Sequence, residues 1–166
     1  ALLARVYLYK NDWIKANAMA DYVINNYSYK LVESDDYIES WSEESSSESI
    51  FSVYMSSSDY NGTESLGYML LNTGYGDIVP TTDLVRLYSG NDLRTKFFIK
   101  EKENYCIKYP GRDSIIGLDN IPILRLSEMY FIRAESILRV LNKISPENIP
   151  AFESSVINDI NAIRLR

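Results

Sequence analysis

Apolar residues return at the spacing of an α-helix at both ends of this chain, and that rhythm constrains the fold more than any other feature of the sequence. In "ALLARVYLYKNDWIKANAMADYVINN", Leu2, Leu3, Val6 and Tyr7 follow it, and Trp13, Ala16, Ala20, Val23 and Ile24 follow it again beyond a break at Asn11 and Asp12. Asp12 is suited to cap the second helix, because its carboxylate can accept one of the backbone N–H groups that a first turn leaves without partners. Ala16 and Ala20 lie one turn apart and are small, which lets a neighbouring helix approach closely. Residues 1–26 are therefore expected to form a helical hairpin with a tight turn, the layout of tandem helical repeats. The second such pattern begins at "PILRLSEMYFIRAESILRVL", where Pro122 keeps Ile121 extended. From Ser127 onward Met129, Tyr130, Ala134, Ile137, Leu138 and Leu141 mark a long helix, and Val156, Ile160 and Ile163 mark its partner, so 122–166 reads as a second hairpin.

The stretch between them, 27–121, has no such period. Tyr27 to Val32 reads as an extended lead, and ten serines lie between Ser40 and Ser58, where only "ESIFSVY" has the β-branched and aromatic content of a strand. Tyr37, Trp41, Phe51, Tyr54 and Tyr60 are too many rings for an idle linker, so an ordered loop excursion is expected. Gly74 and Gly76 bound turns. A short helix follows, with Thr82 as its expected cap and Leu84, Leu87 and Tyr88 facing inward. Phe98 and Ile99 on one side of the charged "KEKEN", and the alternating Tyr105, Ile107 and Tyr109 on the other, suggest a two-stranded ribbon. The expectation is a mainly α fold in one domain, 1–166: helical hairpins of the tetratricopeptide kind, irregular loop insertions and a minor β ribbon.

Charge and composition remove several functions. The net charge is -6, which offers polyanions no general attraction and argues against a nucleic-acid partner. Glu33 to Glu64 carries nine acids and no base, whereas Arg86 to Arg112 carries seven bases and three acids. Histidine is absent and Cys106 is the lone cysteine, so the usual nucleophile-histidine machinery, disulfides and thiolate metal clusters are all missing. No cofactor or metal is expected; "DYNGTE", from Asp59 to Glu64, supplies oxygen ligands but lacks the spacing of a calcium loop. Paired carboxylates for glycoside hydrolysis need an apolar pocket to raise one pKa, and Asp35, Asp36, Glu43, Glu44 and Glu48 are expected to stand in solvent instead. Arg133, inside the last long apolar run, is expected to lay its stem on apolar surface and meet a carboxylate, with Glu128, Glu135 or one from another segment as partner. Glu135 and Arg139 are spaced for an ion pair on the helix surface.

The blocks "ALLARVYLYKNDWIKANAMADYVI", "ESIFSV", "NDLR", "PILRLSEMYFIRAESILR" and "NDINAIRLR", in that order, resemble the SusD/RagB family of bacterial outer-membrane nutrient-binding lipoproteins. Nearly the whole chain takes part, as a middle-to-late portion of a family member; the chain opens in mid-pattern at Ala1, as an internal piece would. The resemblance implies a tetratricopeptide-like scaffold and a surface-exposed lipoprotein of the outer membrane, joined to the membrane only through a lipidated N-terminus outside this chain. It also implies non-catalytic capture of an oligosaccharide or polysaccharide, and delivery to a SusC-like TonB-dependent transporter. The family offers no transferable binding motif. Site residues are instead expected on physical grounds, since rings stack on the apolar faces of sugars and nearby polar groups read hydroxyls: Trp41, Tyr60, Tyr68 and Tyr75, with Asp59 and Asn61 beside them. A helical-repeat module that binds a protein or peptide is the alternative, and an enzyme the third choice.

Overall fold

The computed structural model describes residues 1–88, 90–100, 104–141 and 145–165. It is mainly helical. In chain order the elements are α1 (Leu2–Tyr9), α2 (Trp13–Asn26), β1 (Ser49–Val53), α3 (Leu66–Leu70), α4 (Thr82–Arg86), β2 (Phe98–Lys100), β3 (Asn104–Cys106), β4 (Ile121–Arg125), α5 (Leu126–Val140) and α6 (Ile149–Arg164), with short 3₁₀ turns between them. Helical hairpins with irregular insertions and a small β ribbon are what the periodicity implied.

The chain divides into two compact units. One comprises Ala1–Leu31, Ser47–Ser52 and Pro122–Arg166; the other comprises Val32–Ser46 and Val53–Ile121. The sequence reading treats 1–166 as one domain with an insertion at 27–121. In the structure, a short piece from inside that stretch belongs with the helices, because β1 hydrogen-bonds to β4 in a two-stranded sheet.

In the helical unit, Asn11 takes a left-handed conformation that asparagine tolerates, and the chain reverses there. Asp12 then caps α2 as expected, accepting from the Lys15 backbone N–H at 3.3 Å. Ala4, Ala16, Ala20, Val23, Leu126, Met129 and Ile132 form one buried cluster, so the two alanines do serve close approach between helices. A second cluster, Ala134, Ile137 and Val156, joins α5 to α6. Arg133 ties this unit together by charge. Its guanidinium forks onto Asp159 at 2.8 and 2.6 Å and reaches Asp21 of α2 at 2.7 Å. Those hydrogen bonds, Asp159 first, hold the Arg133 pKa well above its ordinary value. Neither helical neighbour is its partner: Glu128 pairs with Arg5 at 2.6 Å and Glu135 with Arg139 at 3.0 Å.

Glu48 corrects an expectation. It is 1% exposed rather than solvated, with its carboxylate 2.7 Å from the Arg125 guanidinium. Its backbone carbonyl accepts from the Leu126 N–H at 2.9 Å, serving the first turn of α5 where Arg125 gives no side-chain cap. Strand pairing carries Glu48 into this position, which no local feature of the serine-rich stretch encodes.

The second unit is held by rings and loop anchors rather than by long helices. Val32, Tyr37 and Phe97 are buried, with Ile38, Trp41 and Leu93 packed against them. β2 and β3 pair antiparallel in the register Phe98↔Cys106, Ile99↔Tyr105 and Lys100↔Asn104. The expected charged turn of this ribbon, 101–103, lies outside the described residues. Arg112 donates to the carbonyls of Met55 and Leu118, while Asn120 accepts from the Met55 N–H at 2.8 Å. Side chains thus satisfy backbone groups that a sheet would otherwise serve. α4 departs from its expected form. Thr81, not Thr82, caps it, accepting from the Leu84 N–H at 3.2 Å, and Leu87 is 80% exposed rather than inward.

Candidate ligand-binding site

The sequence-derived site residues all fall in the second unit. Ser65 starts α3, its hydroxyl accepting from the Tyr68 N–H at 3.3 Å. The chain leaves α3 and doubles back at once. Leu71 accepts from the Gly74 N–H at 3.0 Å, Tyr68 from the Tyr75 N–H at 2.7 Å and Met69 from the Ile78 N–H at 3.0 Å. This ladder brings the rings of Tyr68 and Tyr75 to 5.7 Å between centroids, tilted by 57°. Tyr75 is 59% exposed, and Tyr68 is half-buried.

Two glycines make the return possible. A Cβ on Gly74 would lie 2.5 Å from the Tyr68 carbonyl oxygen, closer than any side chain could stand. Gly76 has φ of +61°, and a Cβ there would meet the Tyr105 ring at 2.8 Å. Tyr105, on β3, consequently packs on the backbone next to Tyr75. Sequence reasoning assigned Tyr105 only to a half-buried strand; nothing local links it to a glycine far earlier in the chain.

The other expected residues sit apart from this pair. Asp59 and Asn61 are exposed and Tyr60 is partly so. The Asp59 N–H donates to Ser56 at 3.0 Å, and the Asn61 carbonyl accepts from Glu64 at 3.0 Å in a 3₁₀ turn. Among the described residues, no ring contact or hydrogen bond joins these three to Tyr68 or Tyr75. Trp41 belongs to the aromatic packing: its ring meets Phe97 edge-on at 6.0 Å and Tyr109 at 5.6 Å, and the Lys108 ammonium lies 3.9 Å from its centroid. A cation over the ring face is attracted by its π electrons.

Asp119 is an acid of this unit that burial perturbs. It is buried, and one carboxylate oxygen accepts from the Gly111 N–H at 2.8 Å. Burial raises its pKa above the usual carboxylate value. Among the described residues, no group of three or more His, Cys, Asp or Glu side chains converges to hold a metal ion.

The helical scaffold and its loop unit together match known structures. A SusD superfamily protein from Bacteroides vulgatus superposes on 97% of this chain with a TM-score of 0.82 and 30% sequence identity. The chain belongs to the SusD superfamily. A second SusD superfamily protein, from Bacteroides thetaiotaomicron, covers 98% of the chain at 26% identity and a TM-score of 0.75. A SusD-like carbohydrate binding protein from Bacteroides vulgatus covers 98% at 20% identity and 0.75, a likeness of fold. The match takes up 39%, 40% and 36% of those three proteins, so this SusD-superfamily chain spans about two fifths of their length. No family model matches the sequence, and no curated protein matches it.

Proposed function

We propose that this SusD-superfamily chain belongs to a non-catalytic glycan-binding protein, and that Tyr68 and Tyr75 form the platform on which a sugar ring stacks. The observation that carries the reading is the ring pair itself: one exposed and one half-buried tyrosine, fixed by a backbone hydrogen bond and by a glycine with no room for a side chain. Rigid aromatic surface suits a weak, repetitive ligand because little entropy is lost when the ligand settles on it. Asp59, Tyr60 and Asn61, on a neighbouring stretch of sequence, offer hydroxyl-reading groups to a ligand that extends beyond the ring pair. Trp41 contributes by holding the unit in shape. A solved protein of this fold described as carbohydrate binding supports the ligand class.

The ligand is an oligosaccharide or polysaccharide, captured at the bacterial surface and passed to a SusC-like TonB-dependent transporter in the outer membrane. Attachment is through a lipid at an N-terminus beyond this sequence; no described helix is long and apolar enough to cross a membrane. Affinity electrophoresis of the full-length protein in gels cast with different polysaccharides tests the reading. A retarded band for the native protein, lost in Tyr75→Ala with unchanged circular dichroism and with no release of reducing sugar, is expected. Unchanged retardation in both Tyr68→Ala and Tyr75→Ala would remove the platform, and sugar release would make the protein an enzyme.

A further inference from the structure

The end of α2 carries a row of three tyrosines that the candidate site does not use. Tyr22 and Tyr27 are each 54% exposed, and Tyr29 is half-buried. Successive ring centroids lie 6.0 Å apart, with Tyr22 edge-on to Tyr27 at 78° and Tyr27 tilted by 30° from Tyr29. Local geometry makes the row. Tyr22 lies in the last turns of the helix, and Tyr27, the residue that ends it, is already extended, with φ of -121° and ψ of 160°. In an extended segment residues two apart share a side, which brings Tyr29 back beside Tyr27.

Both ends of the row are fixed. The Asn26 side-chain amide donates to the Tyr22 carbonyl at 2.9 Å and closes the final turn. Beyond it, the Lys30 N–H donates to the Ser47 carbonyl at 3.1 Å, the Ser47 hydroxyl donates to the Lys30 carbonyl at 3.2 Å, and Tyr29 packs against the helical core. Rings held in this way lose little freedom when a ligand settles on them.

The surroundings decide what kind of ligand fits. α2 buries Ala16, Ala20 and Val23, while Lys15, Ala18, Tyr22, Asn25 and Asn26 are exposed on its outward side. Past Ile14 in the first turn, that side exposes no aliphatic residue larger than alanine. It is the solvent side of a surface helix, not a face that another helix would cover. Asn25, Asn26 and Ser28 stand exposed next to the rings in sequence. A side-chain amide has two donor hydrogens and an acceptor oxygen. Among the described residues, each asparagine uses one donor within the helix, Asn25 on Asp21 at 2.9 Å and Asn26 on Tyr22. Apolar ring faces bordered by uncharged donors and acceptors complement a neutral saccharide, whose C–H faces stack and whose hydroxyls take hydrogen bonds.

We infer that Tyr22, Tyr27 and Tyr29 form a second saccharide-binding surface, one that takes a neutral oligosaccharide or polysaccharide chain. It is built from residues of the helical unit alone, whereas Tyr68 and Tyr75 belong to the other unit. The ligand class rests on the glycan-binding reading above; the position of the surface does not.

The test is affinity electrophoresis of the full-length protein in gels cast with a soluble glucan, xylan, mannan or fructan. Four forms are compared: native, Tyr22→Ala with Tyr27→Ala, Tyr68→Ala with Tyr75→Ala, and all four substitutions together. On a polysaccharide that retards the native protein, loss of Tyr22 and Tyr27 is expected to weaken binding roughly two- to tenfold, the range of an aromatic contact, with an unchanged thermal melt. Tyr27→Phe, which keeps the ring, should bind as the native protein does. The Tyr68 and Tyr75 variant should keep a residual retardation that disappears only in the fourfold variant. Native-like binding of the Tyr22 and Tyr27 variant on every retarding polysaccharide overturns the inference and leaves the Tyr68 and Tyr75 platform standing. Binding that this variant loses and the Tyr68 and Tyr75 variant keeps in full supports the inference and removes the platform. Absence of retardation of the native protein in all four gels overturns the inference together with the reading that supplies its ligand class.

Discussion

Replacing Arg133 by Met removes the one group among the described residues that joins α2, α5 and α6 by charge. Three hydrogen bonds are lost, two of them to Asp159, which is buried, and one to Asp21, which is half-exposed. Asp21 can rehydrate, and an exposed pair is worth roughly 1 kcal/mol or less. Asp159 cannot, and breaking a buried pair by removing one partner costs about 3–5 kcal/mol. Met fills the volume of the Arg stem, so little cavity cost is added, and a loss of about 4 kcal/mol is expected for the helical unit. For a chain of this size that lowers the unfolding midpoint by roughly 8–16 °C. The two tryptophans fall in different units, Trp13 in the helical one and Trp41 in the other, so a Trp41→Phe background lets Trp13 fluorescence report the helical unit alone. Urea titration in that background gives the number. The double variant Arg133→Met with Asp159→Leu should recover most of the loss, because an apolar pair of similar volume commonly replaces a buried ion pair at little cost. A loss below about 1 kcal/mol in the single variant, or a double variant as weak as the single, would refute the assignment of Arg133 as a buried tie.

Gly74→Ala would put a methyl group against the Tyr68 carbonyl; a cost of about 1–3 kcal/mol is expected, with loss of glycan retention even where the protein stays folded, measured by thermal melt and affinity gel together. Asp119 has a raised pKa from burial, so as pH rises above the ordinary carboxylate value the unfolded chain releases its proton first and stability falls until the folded-state pKa is passed. Asp119→Asn should abolish that slope and be at least as stable at neutral pH; stability curves that keep the same pH dependence in the variant would count against it. Asp12→Ala should cost about 1 kcal/mol in urea titration by removing the cap of α2.

What the sequence disclosed was whatever neighbouring residues decide. The Asp12 cap, the close approach at Ala16 and Ala20 and the two terminal hairpins follow from spacing within a few turns of chain, and all are present. The partners of Arg133 were open because an arginine fork is satisfied by any carboxylate in reach, and those that reach it sit on other helices. Glu48 looked solvated for the same reason: its burial depends on Arg125, brought near by strand pairing. Thr81 and Thr82 are equally good caps by composition, and only the register of the preceding turn selects the first. At the candidate site Tyr60 and Tyr75 were legible as loop residues, but Tyr68 lies in α3, and its pairing with Tyr75 comes from a backbone hydrogen bond that Gly74 permits. Trp41 was named as a candidate ring on its type and place alone; its neighbours Phe97 and Tyr109 are remote in sequence, so no local pattern shows them.

The most direct measurement is an NMR titration of the protein, its tyrosine and tryptophan rings isotopically labelled, with an oligosaccharide cut from a polysaccharide that retards it. The account predicts that the Tyr75 and Tyr68 ring signals shift together and saturate with ligand, while the Trp41 ring signals stay where they are. Saturable shifts confined to other rings, with Tyr68 and Tyr75 unmoved, would contradict it.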